Sequence, residues 1–287
     1  MQLFVNDLTV IDFSYLCPRR GVIGESWIVD LTLVGSLDEQ SMVLDFAKVK
    51  KQVKKIIDEV IDHKLAVPTK ASVTTITAGE KGTLVDFNSE NGGLVSIFSP
   101  DEAFAMIEAS QVDIGSAGVF LTDKIHAQLP DNVEQVILNL RPENINGFYY
   151  HYTHGLKKHD GNCQRITHGH RSKVIVQENG MKSPKLQKYW SDRWQDIYLA
   201  SSEDQLEFSQ LLHITPPSNK DDYYAFGYEA AQGYFELMIG VKCTEIIPCD
   251  TTVECLAEFM NGQLKQLRPE ADYQVSAFEG VAKGAIV

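Results

Sequence analysis

The stretch His154-Gly-Leu-Lys-Lys-His-Asp-Gly-Asn-Cys-Gln-Arg-Ile-Thr-His-Gly-His170 is the point from which the other elements can be read. It holds four of the eight histidines of a 287-residue chain, with Cys163 among them. His168 and His170 stand two apart, so on a β-strand both side chains leave one face. Gly169 between them lets the opposite face lie close to another surface. His154, about a hairpin's length upstream, brings a third imidazole from the neighbouring strand. Three imidazoles on one side of a sheet suit Zn²⁺ and leave the fourth position open for a substrate or water. The competing reading is a polar surface hairpin, which His-x-His alone would favour. The upstream histidine and the interposed cysteine tip the balance to metal.

Composition narrows the class. The chain is 44% hydrophobic and 23% charged, ordinary for a globular protein, and long enough for two domains. No apolar run approaches the roughly 18 residues of a membrane span. Asp7 and Asp12 break the apolar character of the N-terminus, which argues against a signal peptide. Five cysteines without framework spacing suit a reducing cytoplasm. A net charge of −13 argues against nucleic-acid or anionic-membrane partners. Against that background Lys157, Lys158, Arg165, Arg171 and Lys173 form a basic island at the histidines, able to steer an anionic substrate there. A solvated charged loop explains the charge equally well.

Read in order, residues 1–16 and 26–35 are strands. Asp45 caps a helix carrying Phe46, Val49, Val53, Ile56, Ile57 and Val60 on one face. It ends near Asp62-His63, and Pro68 forbids much continuation. Strands follow over 73–97. Ser99-Pro100-Asp101-Glu102 starts a second helix over 103–112, and 133–140 is a strand closed by Arg141-Pro142-Glu143. The second half repeats this order, with a helix predicted over 187–200 and another from Thr251-Thr-Val-Glu254. Aligned by eye, Glu102 matches Glu254, Glu143 matches Glu279, and Ile23-Gly24-Glu25 matches His168-Gly169-His170. The pattern is a diverged tandem duplication. It predicts an α+β fold of two modules, 1–146 and 147–287, each an antiparallel sheet with two helices packed on one face.

The copies have lost complementary parts. Cys17, Ile23 and Glu25 stand where the second copy has His154, His168 and His170, while Asp62-His63 has no counterpart in the second copy. A site between copies would be complete only with both.

These residues resemble the 6-pyruvoyltetrahydropterin synthase / 6-carboxytetrahydropterin synthase family. The match lies in a strand ending at His154, Cys163 shortly before His168-Gly-His170, Ile61-Asp62-His63 after the first helix, the two helix starts, and Glu143 and Glu279 at the strand ends. The helix starts depart from the family pattern at Pro100-Asp101, Val253 and Cys255. The resemblance implies tandem T-fold modules in a homo-oligomer, three chains supplying six modules. It implies Zn²⁺ as cofactor on His154, His168 and His170, and 7,8-dihydroneopterin triphosphate as small-molecule substrate. It further implies a lyase in which Cys163 is the general base and His63, oriented by Asp62, relays a proton. Glu279, or failing that Glu143, would grip the pterin, and Lys157, Lys158 and Arg165 would hold the triphosphate. The 6-carboxy product is the leading expectation, with the 6-pyruvoyl product or a pterin aldehyde next, and a non-catalytic T-fold holding a pterin or purine as the alternative from another class. Taken singly, Cys163 could be a fourth ligand of a structural zinc site, Asp62-His63 a helix cap, and the glutamates ordinary strand ends.

Overall fold

The computed structural model describes residues 1–287. The first half runs β1 (Gln2–Cys17), β2 (Gly21–Gly35), α1 (Phe46–Val60), β3 (Leu65–Pro68), β4 (Thr74–Ala78), β5 (Thr83–Ser89), β6 (Gly93–Ser99), β7 (Phe104–Ile107), α2 (Ile114–His126) and β8 (Val133–Pro142). The second runs β9 (Tyr149–His154), β10 (His168–Glu178), β11 (Met181–Lys182), α3 (Pro184–Arg193), β12 (Ile197–Ser201), β13 (Gln205–Leu206), β14 (Tyr223–Ala230), β15 (Gly233–Gly240), β16 (Thr244–Ile247), α4 (Val253–Leu267), β17 (Tyr273–Phe278) and β18 (Gly284–Ile286).

Each half builds a sheet covered by its two helices. The first sheet is ordered β7-β3-β1-β2-β8, and the second β16-β12-β9-β10-β17-β18. In α1, Asp45 Oδ1 accepts the Lys48 backbone N–H, and Val49, Val53, Ile56 and Ile57 are buried against β1 and β2. That is the apolar stripe read from the sequence meeting its sheet. Trp190 and Trp194 of α3 pack with Leu256, Ala257 and Met260 of α4 over the second sheet.

Short parallel strands in both halves, β3 and β7 in the first and β12 in the second, escaped the pattern reading. The helix predicted over 103–112 is a single turn at Asp101–Ala103 followed by strand β7, which pairs in parallel with β3 from Leu65↔Phe104 to Pro68↔Ile107. Pro100 and two acids make a good first turn, but Phe104, Ala105 and Ile107 gain more by burial in the sheet. The helix begins after a capping box between Asp113 and Ser116. Likewise α3 stops at Arg193, and Ile197 and Tyr198 belong to β12, parallel to β9. The sheets are therefore mixed, with parallel strands on one side only: β3 and β7 in the first, β12 and β16 in the second. The pairing of Glu102 with Glu254 also fails. Glu102 precedes β7, whereas Glu254 lies in the first turn of α4, beyond the equivalent strand β16.

The halves face each other about an approximate two-fold axis. Ser14 and Thr153 share a buried hydroxyl–hydroxyl bond of 3.0 Å. Gly24 and Gly169 meet so closely that a Cβ on Gly169 would stand 2.7 Å from the Gly24 Cα. The strands inserted in both halves join in one sheet, β13-β14-β15-β6-β5-β4, where Leu237 pairs with Ile97. Beneath that sheet lies a third core drawn from both halves, including Leu16, Phe87, Ile97, Ile166, Phe226 and Leu237.

Candidate active site between the two halves

His154 closes β9 and His168 opens β10, and the antiparallel register sets them directly opposite. His170 follows one pleat further, on the same face. All three are buried, and their ligating nitrogens lie within 4.8 Å of one another. Each ring has a neighbour that orients it. His154 Nδ1 is 3.0 Å from Thr251 Oγ1, His168 Nδ1 is 3.0 Å from the Arg165 carbonyl, and His170 Nδ1 is 3.2 Å from Asp12 Oδ1. Nε2 of His154 and both ring nitrogens of His170 are buried without a hydrogen-bond partner, the Asp12 contact being an ion-pair approach. Buried imidazole nitrogens left unpaired are costly unless something else satisfies them. Burial pushes His154 and His168 well below the usual histidine range, so both are neutral, the form a metal requires. Three clustered imidazoles, two of them held neutral, with unpartnered nitrogens on His154 and His170, fit a zinc ion with an open position.

The first half supplies the wall opposite. His63 adopts a left-handed conformation, φ 54°, which costs a non-glycine residue energy and is held here from both sides. Its backbone N–H donates to the Asp12 carbonyl at 2.7 Å, and Asp62 Oδ1 accepts the Asp12 N–H at 2.9 Å. Asp62 Oδ2 lies 2.6 Å from His63 Nδ1. The His63 ring stands 5.4 Å from that of His168, and the Cys163 thiol is near enough to favour its charged form. Burial works against a charged ring, but Asp62 and Cys163 outweigh it and push His63 up to about 10. It is an imidazolium at neutral pH, beside a half-buried free cysteine.

The remaining expected residues divide. Glu279 belongs to this site through Lys283, which lies 3.2 Å from Glu279 Oε1 and 3.1 Å from Asp12 Oδ2. Glu143 is elsewhere, with Lys173 at 2.7 Å and its carbonyl taken by Arg171. Arg165 reaches the site and donates to the His63 carbonyl at 3.4 Å. Lys157 is committed to Asp204 at 2.6 Å, and Lys158 to Asp250 and Glu203. The basic island is thus largely paired with acids in this chain.

Reading the sequence missed Asp12, the residue that ties the two half-sites together. Its carboxylate faces His170, Ser26 and Lys283, and its backbone holds Asp62 and His63. Despite burial, His170 and Lys283 hold it well below the usual carboxylate range. The available signal was a lone acid in the apolar run Val10-Ile-Asp-Phe13. Thr251 was seen only as part of a helix start.

The equivalent place on the other side of the axis carries no metal ligands. Ile23 faces Tyr15 as His168 faces His154, so Tyr15 rather than Cys17 takes the position of His154. Counting from the strand end misled the alignment, because β1 runs two residues further. Here Arg20 pairs with Asp196 at 2.5 Å, and the buried Glu25 lies 3.9 Å from His151.

Fold and site together define an α+β protein of two similarly built halves with a three-histidine pocket whose walls come from both. Residues 17–96 match the family described as 6-pyruvoyl tetrahydropterin synthase, the one the motifs resemble. That span takes in β2, α1, Asp62 and His63, and stops short of the three histidines. Among solved structures the chain is similar to 6-pyruvoyl tetrahydropterin synthase from Plasmodium vivax, with 16% identity, 49% of this chain and 97% of that one covered, and a TM-score of 0.38. The Plasmodium falciparum 6-pyruvoyl tetrahydropterin synthase gives 14% identity, the same coverage and a TM-score of 0.37. No curated protein matches the chain.

Proposed function

We propose that this protein, built from modules 1–146 and 147–287, is a zinc-dependent lyase that takes 7,8-dihydroneopterin triphosphate and water to 6-carboxytetrahydropterin, with triphosphate and the two outer side-chain carbons, as acetaldehyde, leaving. The observation that carries the reading is the meeting of Asp62-His63 from one half with Cys163 and the three histidines from the other. His154, His168 and His170 would hold the zinc, which as a Lewis acid polarises oxygens on the substrate side chain. Cys163 takes a proton from a side-chain carbon, and His63, already an imidazolium, returns one; Asp62 orients its ring and stabilises its charge. Glu279 receives the amino and ring N–H groups of the pterin, with Lys283 and Asp12 holding that carboxylate in place. Arg165, which donates to the His63 carbonyl, contacts the leaving triphosphate.

The test is incubation of zinc-loaded protein with 7,8-dihydroneopterin triphosphate and identification of products by mass. The carboxy product supports the proposal. The pyruvoyl product or an aldehyde would keep the site and change the reaction, and no turnover would overturn it.

A further inference from the structure

The connection from β9 to β10, residues 155–167, has no regular strand of its own, yet it carries Cys163. What holds it is the turn between β14 and β15, where Ala231-Gln232 is followed by Gly233 at φ 128°. The Gln232 backbone N–H donates to Gln164 Oε1 at 2.7 Å, its side-chain nitrogen donates to Asn162 Oδ1 at 2.8 Å, and its Oε1 accepts from Arg165 Nε at 3.0 Å. One glutamine therefore grips both neighbours of Cys163 and the residue after them. The Tyr228 hydroxyl of β14 adds a bond to the Gln164 carbonyl at 2.8 Å. Arg165, fixed by Gln232, extends to the His63 carbonyl in the other half.

The opposite side of the axis shows what is specific to this arrangement. There the β5–β6 turn touches the β1–β2 connection only through backbone, with Glu90 and Asn91 N–H donating to the carbonyls of Pro18 and Arg19, both at 2.9 Å. That connection is a tight turn without a cysteine inside it. The side-chain grip exists only where Cys163 does.

We propose that Gln232 is a positioning residue for Cys163: the inserted hairpin β14–β15 fixes the loop so that the thiol faces His63 across the boundary between halves. This rests on the reading of Cys163 as the base. A base displaced by about an ångström loses up to roughly a hundredfold in rate, so a loop of this length needs such a tether.

The test compares full-length zinc-loaded wild type with Gln232→Ala, Gln232→Glu, Tyr228→Phe and Asn91→Ala. Three properties are read: the pH profile of Cys163 alkylation by iodoacetamide, kcat against KM, and the melting temperature. Gln232→Ala is expected to move the alkylation profile to higher pH and to lower kcat about tenfold with KM within about twofold. Gln232→Glu still accepts from Arg165, and Asn162 can turn its amide to donate, so it is expected to recover most of the loss. Asn91→Ala is expected to match wild type. Should Gln232→Ala fail to fold, Tyr228→Phe, which removes one bond from the same loop, is expected to shift the profile in the same direction. Wild-type profiles in both Gln232→Ala and Tyr228→Phe would overturn the proposal, as would a Gln232→Glu no better than Gln232→Ala. The alkylation profile needs no substrate, so failure of the proposed reaction and failure of the tether are read separately.

Discussion

At the scale of single residues, the site depends on His63 being held charged in a strained backbone position. Its folded value of about 10 lies above its ordinary value near 6.5, so the imidazolium favours the native state. That contribution is complete below about pH 6.5 and is lost as the pH climbs through about 10. In metal-free protein, the difference in urea midpoint between wild type and His63→Gln is therefore expected to be largest near neutral pH and to shrink toward high pH. A constant difference would mean that Asp62 does not hold a charged ring. Asp12 gives a second test at this scale. Asp12→Asn removes the charge beside His170 and is expected to weaken zinc about 10–100-fold in a chelator competition. An unchanged affinity would leave Asp12 with no part in the metal pocket.

Residues were also the most legible scale. The histidines, Cys163 and Asp62-His63 could be read because their spacing is local: two apart on a strand, or adjacent at a helix end. Asp12 could not, because its importance comes from partners 50 and 158 positions away in the chain, Asp62 and His170. Which glutamate accompanies the histidines was equally hidden, since Glu143 and Glu279 occupy the same place in their own halves and differ only in what the other half puts beside them.

Among the elements, α1, α4 and the long antiparallel strands announce themselves, whereas the sequence places α2 about ten residues early and the four-residue parallel strands do not show. Leu65–Pro68 and Phe104–Ile107 are too short for a period, and β7 follows a turn with good helix-start residues. The inserted strands were visible one by one, but their joining into a sheet between halves was not, because a strand's sequence does not name its partner. Glycine chemistry tests the docking of the two sheets. A Cβ on Gly169 would lie 2.4 Å from the Tyr152 carbonyl oxygen and 2.7 Å from Gly24 Cα, both backbone. Gly169→Ala is expected to cost about 1–3 kcal/mol in urea denaturation. Gly262, in the exposed part of α4, meets nothing within 4 Å, and Gly262→Ala is expected to stabilise by about 1 kcal/mol. Equal effects would mean that the close approach at the axis is not rigid.

For the molecule as a whole, the proposed duplication with complementary loss would concentrate the chemistry on one side of the axis. One half keeps histidines and a cysteine, the other an Asp-His pair, while the opposite side keeps Arg20–Asp196 and Glu25 near His151. One zinc per chain is expected by elemental analysis, with His168→Ala losing it while Cys163→Ala and His63→Ala retain it. No helix is long and apolar enough to cross a membrane. Strand β8 pairs only with β2 and so leaves one edge free, consistent with the proposed assembly of three chains; a monomer in light scattering would count against it.

The central claim is that one chain completes the site from its own two halves. Co-expressing His63→Ala and Cys163→Ala chains and assaying the purified mixed oligomer on 7,8-dihydroneopterin triphosphate tests it directly, provided each variant alone is inactive. With both half-sites required in the same chain, the mixture is expected to stay inactive. Recovery of a substantial share of wild-type activity would show that His63 of one chain serves Cys163 of another, and would contradict the account.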